Sequence, residues 1–202
     1  RSPSRGLGDV YKRQQKMRES IYLPKDLRSK SPFINNIPEK LKKKVEASQE
    51  FLNNVLHKKI QPRVSVNVMR KNERAFYRHS SREIYIAEND RVTTIIHEVV
   101  HDIEIAYPSV LKKTKAFLKK RAGDERPKSL GTLTKNSSYD SDEIAYEDKW
   151  KKLGGDHYMG KIYPRSTELL SMGAERLLKN PVKFAKEDPE YFDFVMEIFH
   201  GL

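Results

Sequence analysis

The hydrophobic pattern of the chain is helical where it first becomes regular. Between Pro38, which suits a first helical position, and about Lys59, apolar residues recur at the spacing of one helix face. These residues are Leu41, Val45, Leu52, Val55 and Leu56. The pattern predicts a helix that packs on the core. After Pro62 it changes to the alternation of a half-buried strand, carried by Val64, Val66 and Val68.

A hairpin and a second helix are predicted next. Residues 75–78 and 83–87 alternate as strands do, and the polar residues 79–81 between them predict a turn. Helical spacing then runs from about Arg91 to Ala106, with Asn89 or Asp90 as the N-cap. We therefore expect a small mixed or antiparallel sheet whose edge hairpin packs on this helix.

The second half of the chain is predicted to be mostly helical. Helices are expected at about 109–121, 141–152 and 165–178, and a Gly-, Ser- and Asn-rich stretch at 123–140 predicts a mobile loop. Asn180-Pro181 and Asp188-Pro189 each place a capping residue before a proline, which predicts two short C-terminal helices. The expected fold class is α+β.

The length of 202 residues predicts one domain and one active site. Residues 1–14 resemble translated adapter sequence from the broken ends of metagenomic reading frames, so we assign them to a non-native segment. Residues 15–37 have little periodicity and are expected to be an irregular lead-in. We expect residues 38–202 to form the single domain, with its core at about 60–180 and a helical extension at 181–202.

Composition narrows the possible chemistry. The chain has no cysteine, which excludes disulfides and thiolate metal sites, so any zinc ligands must be histidine or carboxylate. The formal charge of +12 fits either a solvated lysine-rich surface or a polyanionic partner, and we favour the former because no RNA-binding or zinc-finger signature accompanies the lysines. Without a long apolar run or a signal-peptide core, we expect a soluble protein, cytoplasmic or virion-associated, that makes no membrane contact.

The strongest motif is His97-Glu98-Val99-Val100-His101, within the helix predicted at 91–106. Residues four apart lie one above the other on a helix, so His97 and His101 can direct two imidazoles at one metal ion. Glu98 lies about 100° further around the helix, where it can reach a metal-bound water without being a ligand. The pattern predicts a zinc site with Glu98 as general base, the alternative being ordinary polar helix residues.

The motif resembles that of the zincins, and the residues at 104 and 107, Glu104 and Tyr107, exclude the metzincin pattern. Residues 167–172 resemble the glutamate-plus-serine element of the gluzincins, as in thermolysin-like enzymes. This resemblance implies that Glu168 is the third zinc ligand, with Asp102, Glu104 and Glu175 as competing carboxylates. Met172 departs from the pattern, since those enzymes have a second-shell aspartate there.

The gluzincin resemblance covers about residues 60–180 and implies a zincin-like fold, Zn²⁺ as cofactor and a peptide or protein substrate. Hydrolysis also needs a donor to the developing oxyanion. Tyr163 suits that role, with Tyr158 as the alternative, and anthrax lethal factor-like proteases have a tyrosine in this region.

A looser resemblance links the C-terminal third of the chain to prophage minor head, or head-morphogenesis, proteins. The stretches that carry it are residues 163–168, Ser171-Met172-Gly173 and residues 188–192. It implies phage head proteins as partners. Three functions follow in order of preference: a zinc metallopeptidase, a non-catalytic zincin-fold module of a virion or toxin, and a basic nucleic-acid-binding domain.

Overall fold

The computed structural model describes residues 20–35, 37–148 and 150–201. The interpretation of residues 1–14 as a non-native segment falls outside these residues and stays a prediction. Within the described residues, no helix is long and apolar enough to cross a membrane.

The described residues form seven α-helices, five strands and three short 3₁₀ helices. The α-helices are α1 (Lys42–Val55), α2 (Val92–Ala106), α3 (Pro108–Ala122), α4 (Leu130–Thr134), α5 (Leu169–Lys179), α6 (Pro181–Glu187) and α7 (Pro189–Phe199). The strands are β1 (Ser65–Met69), β2 (Phe76–Arg78), β3 (Glu83–Ala87), β4 (Lys128–Ser129) and β5 (Ile144–Ala145). The 3₁₀ helices are Lys25–Leu27, Glu39–Leu41 and His157–Gly160. The predicted α+β class is confirmed.

A small mixed sheet of three strands has the order β1-β3-β2. Strand β3 pairs in parallel with β1 and antiparallel with β2, so the predicted hairpin forms and β2 lies at one edge. Ile84 and Ile86 of β3 are fully buried, because alternate side chains of the central strand face the helices. The sheet was predicted as mixed or antiparallel, and the structure shows it to be mixed.

Helix α2, which carries the histidine motif, lies at the centre of the core. Ile96, Val99, Val100 and Ile103 have no exposed surface, and the helix contacts α1, α3, α5 and strands β2 and β3. Full burial of each such side chain contributes about 1.5–3 kcal/mol relative to an exposed one. The surrounding elements therefore fix α2, and with it the direction of the motif side chains.

Asp102 ties the hairpin to α2 through a fully buried carboxylate. One oxygen accepts hydrogen bonds from the Tyr77 hydroxyl and Arg82 Nε, both at 2.7 Å. The other accepts from Arg82 Nη2 at 2.6 Å and from the backbone N–H of Arg63 at 2.7 Å. A buried carboxylate is tolerated only when it is paired and hydrogen-bonded, and these four bonds meet that requirement.

Three local expectations between residues 89 and 152 were wrong. Neither Asn89 nor Asp90 caps α2: Arg91 holds the N-cap position, and the Asp90 carboxylate instead accepts from the Ala87 N–H at 2.7 Å. The stretch 123–140, expected to be a loop, contains β4 and α4. The helix expected at 141–152 is replaced by β5 and turns, because residues 144–145 pair with β4.

The helix expected from residue 165 begins only at Leu169. The residues before it are held in a different conformation by contacts with α2. The two predicted C-terminal caps are confirmed, since Asn180 accepts from the Lys183 N–H at 3.0 Å and Asp188 from the Tyr191 N–H at 3.2 Å.

Replacing Asp102 by asparagine should lower the free energy of unfolding by about 2–3 kcal/mol, because the Arg82 guanidinium loses its counter-charge and one buried acceptor becomes a donor. The comparison is Asp142→Asn, at an exposed position. Urea unfolding of the metal-free proteins measures both. An Asp102→Asn variant as stable as Asp142→Asn would contradict the role given to this carboxylate.

Candidate metal centre

A cleft of about 680 Å³ opens beside the motif helix. Its walls come from α2, from the residues that lead into and form β2, from the segment between 158 and 168, and from α5. All five predicted site residues line it: His97, Glu98, His101, Tyr163 and Glu168. The structure therefore brings together residues that lie up to 71 positions apart in the sequence.

His97, His101 and Glu168 form a group whose ligand atoms lie within 4.8 Å of one another. Their separations are 3.3 Å between the two Nε2 atoms, 3.1 Å from His97 Nε2 to Glu168 Oε2, and 3.5 Å from His101 Nε2 to the same oxygen. Ligands at about 2.0–2.1 Å from one tetrahedral ion are about 3.3 Å apart. The three atoms thus have the spacing of one face of a metal coordination tetrahedron.

Glu168 is almost fully buried and is fixed by its neighbours. The Ser171 hydroxyl, three residues on, donates to Glu168 Oε2 at 3.1 Å. The serine that the sequence places three residues after the glutamate therefore contacts it directly. The carboxylate is held with one oxygen facing both imidazoles, as a metal ligand must be.

Glu175 is not a member of the ligand group. Its Oε1 instead accepts from His97 Nδ1 at 2.9 Å, and its Oε2 from Lys179 Nζ at 2.7 Å. A carboxylate on the outer nitrogen of a histidine fixes the ring so that its other nitrogen points at the metal. Glu175, one helical turn beyond Met172 on α5, thus contacts the outer nitrogen of His97.

Glu104 lies on α2 about one turn after His101, and it holds the segment that carries Glu168. It is buried, and its carboxylate accepts hydrogen bonds from the Thr167 N–H at 2.6 Å and from the Thr167 hydroxyl at 2.5 Å. The Thr167 hydroxyl also accepts from the Leu169 N–H at 3.3 Å, at the start of α5. These bonds keep residues 167 and 168 out of the helix and explain its late start.

The other carboxylates considered as third ligand are therefore engaged elsewhere. Asp102 binds the hairpin, Glu104 binds Thr167, and Glu175 binds His97 from the outside. Sequence reasoning identified these residues as candidates but missed their supporting roles. The seven-residue spacing of Glu168 and Glu175 was a usable signal, since on a continuous helix it would place both on the same face.

The electrostatics of the group favour a cation. Burial acts to lower the pKa of His97, but its contacts with Glu168 and Glu175 outweigh burial and raise that pKa. Burial acts to raise the pKa of Glu168, but the two histidines outweigh it and lower that pKa. Metal ligands must give up their protons when they bind a metal ion, so metal binding at this group would depend on pH.

Glu98 has a different environment from Glu168, although both line the cleft. It is 7% exposed, and burial raises its pKa to about 7, opposed by the charge of His97 and aided by that of Glu168. A carboxyl group poised near neutral pH can both accept and return a proton. It lines the cleft but is not a member of the ligand group.

Tyr163 and Tyr158 lie together on the wall that carries Glu168. Their hydroxyls are 3.1 Å apart, and both interact with the Glu168 carboxylate. Burial raises the pKa of each above its usual value, so both hydroxyls stay protonated and can donate hydrogen bonds. The geometry leaves both as candidate donors, as the sequence did.

Replacing Glu104 by alanine should weaken divalent metal binding about 10- to 100-fold, the usual effect of removing a residue that supports a ligand. Glu104→Gln should retain most of the affinity, because its amide oxygen accepts from the Thr167 N–H and its NH₂ group donates to the hydroxyl. Metal titration against a competing chelator measures both variants. A folded Glu104→Ala protein with unchanged affinity would show that Thr167 does not position Glu168.

Comparison with known proteins gives no further guide to this site. No family model, curated protein or solved structure matches the chain. The resemblances to gluzincins and to phage head proteins are therefore tested by none of these comparisons and stay predictions. The structure itself shows two partly buried histidines and a buried glutamate that together could hold a metal ion.

Proposed function

We propose that this protein is a zinc-dependent metallopeptidase of the zincin type, with the ligand arrangement of a gluzincin. The observation that carries the proposal is that Glu98 lines the same cleft as His97, His101 and Glu168. The cleft therefore contains three possible metal ligands and, beside them, a carboxyl group outside the ligand group. That division of roles is what metal-assisted hydrolysis requires.

Zinc is the ion that best suits this donor set. Two imidazole nitrogens and one carboxylate oxygen are typical of catalytic zinc sites, which keep a fourth position for water or substrate. Magnesium and calcium prefer oxygen ligands alone. All three residues of the group line the cleft, so a substrate in the cleft would lie beside them.

In the proposed mechanism, zinc held by this group would polarise the scissile carbonyl and lower the pKa of the attacking water. Glu98 accepts the proton of that water and returns it to the leaving amine. Tyr163, with Tyr158 as the alternative, donates a hydrogen bond to the oxygen on which negative charge develops. His97 is held in the correct orientation by Glu175 throughout.

Peptides are the substrate class that the cleft wall favours. Ala75, Phe76 and Tyr77, at the edge strand β2, line the cleft. Strand β2 pairs with β3 on one side, and within the described residues its other side has no partner strand. An extended peptide can add to such an edge through backbone hydrogen bonds, which would place a peptide bond alongside the ligand group.

A zincin-fold module without activity is the second candidate. It would need the ligand group for stability but would have no use for a carboxyl group buried beside it. Glu98 is buried with a raised pKa and has no cation within ion-pairing distance among the described residues, an arrangement that costs stability and is typical of catalytic groups. This observation favours the enzyme.

We expect wild-type protein to bind about one zinc ion per chain, and His97→Ala, His101→Ala and Glu168→Ala each to lose tight binding, because two remaining ligands are too few. Glu175→Ala should retain zinc with about 10- to 100-fold weaker affinity. Metal analysis after dialysis and chelator competition measure these values. Stoichiometric zinc in the His97→Ala/His101→Ala double variant would refute the site.

Glu98→Gln should keep zinc and the fold but lose peptide hydrolysis by a factor of about 10² to 10⁴, since an amide cannot accept the proton. The matched control is Glu46→Gln, an exposed glutamate of α1 that should leave hydrolysis unchanged. Turnover of a fluorogenic peptide library by the zinc-loaded proteins is the measurement. Equal turnover by Glu98→Gln and wild type would rule out the proposed general base.

A further inference from the structure

Arg74 is an arginine of the cleft wall that has no carboxylate partner. It precedes the edge strand β2 and lines the cleft. Four other arginines, at positions 78, 82, 121 and 176, each form an ion pair with an Asp or Glu. Among the described residues, no carboxylate oxygen lies within ion-pairing distance of Arg74. Its positive charge is therefore available to a molecule in the cleft.

The Arg74 guanidinium is held in place by an aromatic residue instead of an acid. Nη2 donates to the Tyr158 hydroxyl at 2.7 Å, and the guanidinium carbon lies 5.7 Å from the centre of the Tyr158 ring. An arginine has five N–H donors, so most remain for a ligand. The contact orients the group without neutralising it.

The same hydroxyl links Arg74 to the proposed reaction centre. Tyr158 OH is 3.1 Å from Tyr163 OH, so Arg74 Nη2 lies within about 6 Å of the proposed oxyanion donor. One residue of an extended chain spans about 3.3 Å. A group on the residue next to the scissile bond, or on the one after it, can therefore reach the guanidinium.

The other charged groups nearby are already engaged or do not pair with Arg74. Lys161 lines the same wall but forms an ion pair with Glu143. The Asp90 carboxylate accepts from a backbone N–H. Glu73 also lines the cleft, but it forms no ion pair with the adjacent Arg74. Among the described residues of this wall, Arg74 is thus a cation without an ion pair, and it can donate hydrogen bonds to a carboxylate.

We propose that Arg74 binds a carboxylate of the peptide, so that the cleft selects peptides with an acidic side chain or a free C-terminus close to the scissile bond. The planar guanidinium matches a carboxylate through two parallel N–H donors, which gives direction as well as charge. The inference rests on the proposed function in taking a peptide as the ligand. It adds the substrate class, which the ligand group itself does not determine.

Three peptides of one apolar sequence separate the two sources of the carboxylate. The first has an internal Glu and an amidated C-terminus, the second has Gln and a free C-terminus, and the third has Gln and an amidated C-terminus. Binding is measured by fluorescence anisotropy to zinc-loaded Glu98→Gln protein, so that no peptide is cleaved. Binding is then measured after Arg74→Met, Arg74→Glu or Arg70→Met is added to the Glu98→Gln protein. Arg70 is the control, because it is exposed and does not line the cleft.

At least one of the carboxylate peptides should bind about tenfold more tightly than the third, the ratio expected for one hydrogen-bonded charge pair. Arg74→Met should abolish this ratio, Arg74→Glu should invert it, and Arg70→Met should leave it unchanged. Equal binding of all three peptides, no binding of any, or a ratio that survives both Arg74 substitutions would overturn the inference.

The two proposals fail separately in this design. A wild-type protein that hydrolyses peptides without any carboxylate preference removes the role of Arg74 and leaves the metallopeptidase standing. Carboxylate-selective binding that depends on Arg74, with no hydrolysis by zinc-loaded wild type, removes the peptidase and leaves the binding subsite.

Discussion

The burial of two carboxylates on one core helix determines where the rest of the site lies. Asp102 and Glu104 are almost fully buried on α2, and each must be satisfied by donors from another part of the chain. Asp102 takes its donors from Tyr77 and Arg82 of the hairpin, and Glu104 takes them from Thr167. The hairpin forms one wall of the cleft and the Thr167 segment the other, so the motif helix sets the positions of both.

This arrangement explains how a ligand 67 residues after His101 reaches the two imidazoles. Packing between α2 and α5 brings the helices together, but apolar packing has no strong directional preference. The paired hydrogen bonds from Glu104 to Thr167 are directional, and Ser171 then fixes the Glu168 carboxylate itself. Glu175 does the same for His97 from the outer side.

The sequence predicted what depends on local spacing. The i, i+4 histidines, the hairpin, the helix that carries the motif and the two Asn-Pro and Asp-Pro caps follow from periodicity and turn chemistry, and the structure has them. Glu168 came instead from a resemblance. The start of α5, the strand β5 and the roles of Glu104 and Glu175 depend on partners distant in sequence, which no local pattern encodes. Arg74 belongs to no sequence motif, and its place on the cleft wall is what identified it as a candidate binding residue.

The central claim is that His97, His101 and Glu168 together hold one zinc ion, and the most direct test is a crystal structure of the zinc-loaded protein with anomalous data at the zinc edge. The account predicts a single strong peak in the cleft, with two Nε2 atoms at about 2.0–2.1 Å and a Glu168 oxygen at about 2.0–2.2 Å. It also predicts that Glu175 stays on His97 Nδ1. An anomalous peak elsewhere, or an ion at this position coordinated by Glu175 with Glu168 turned away, would contradict it.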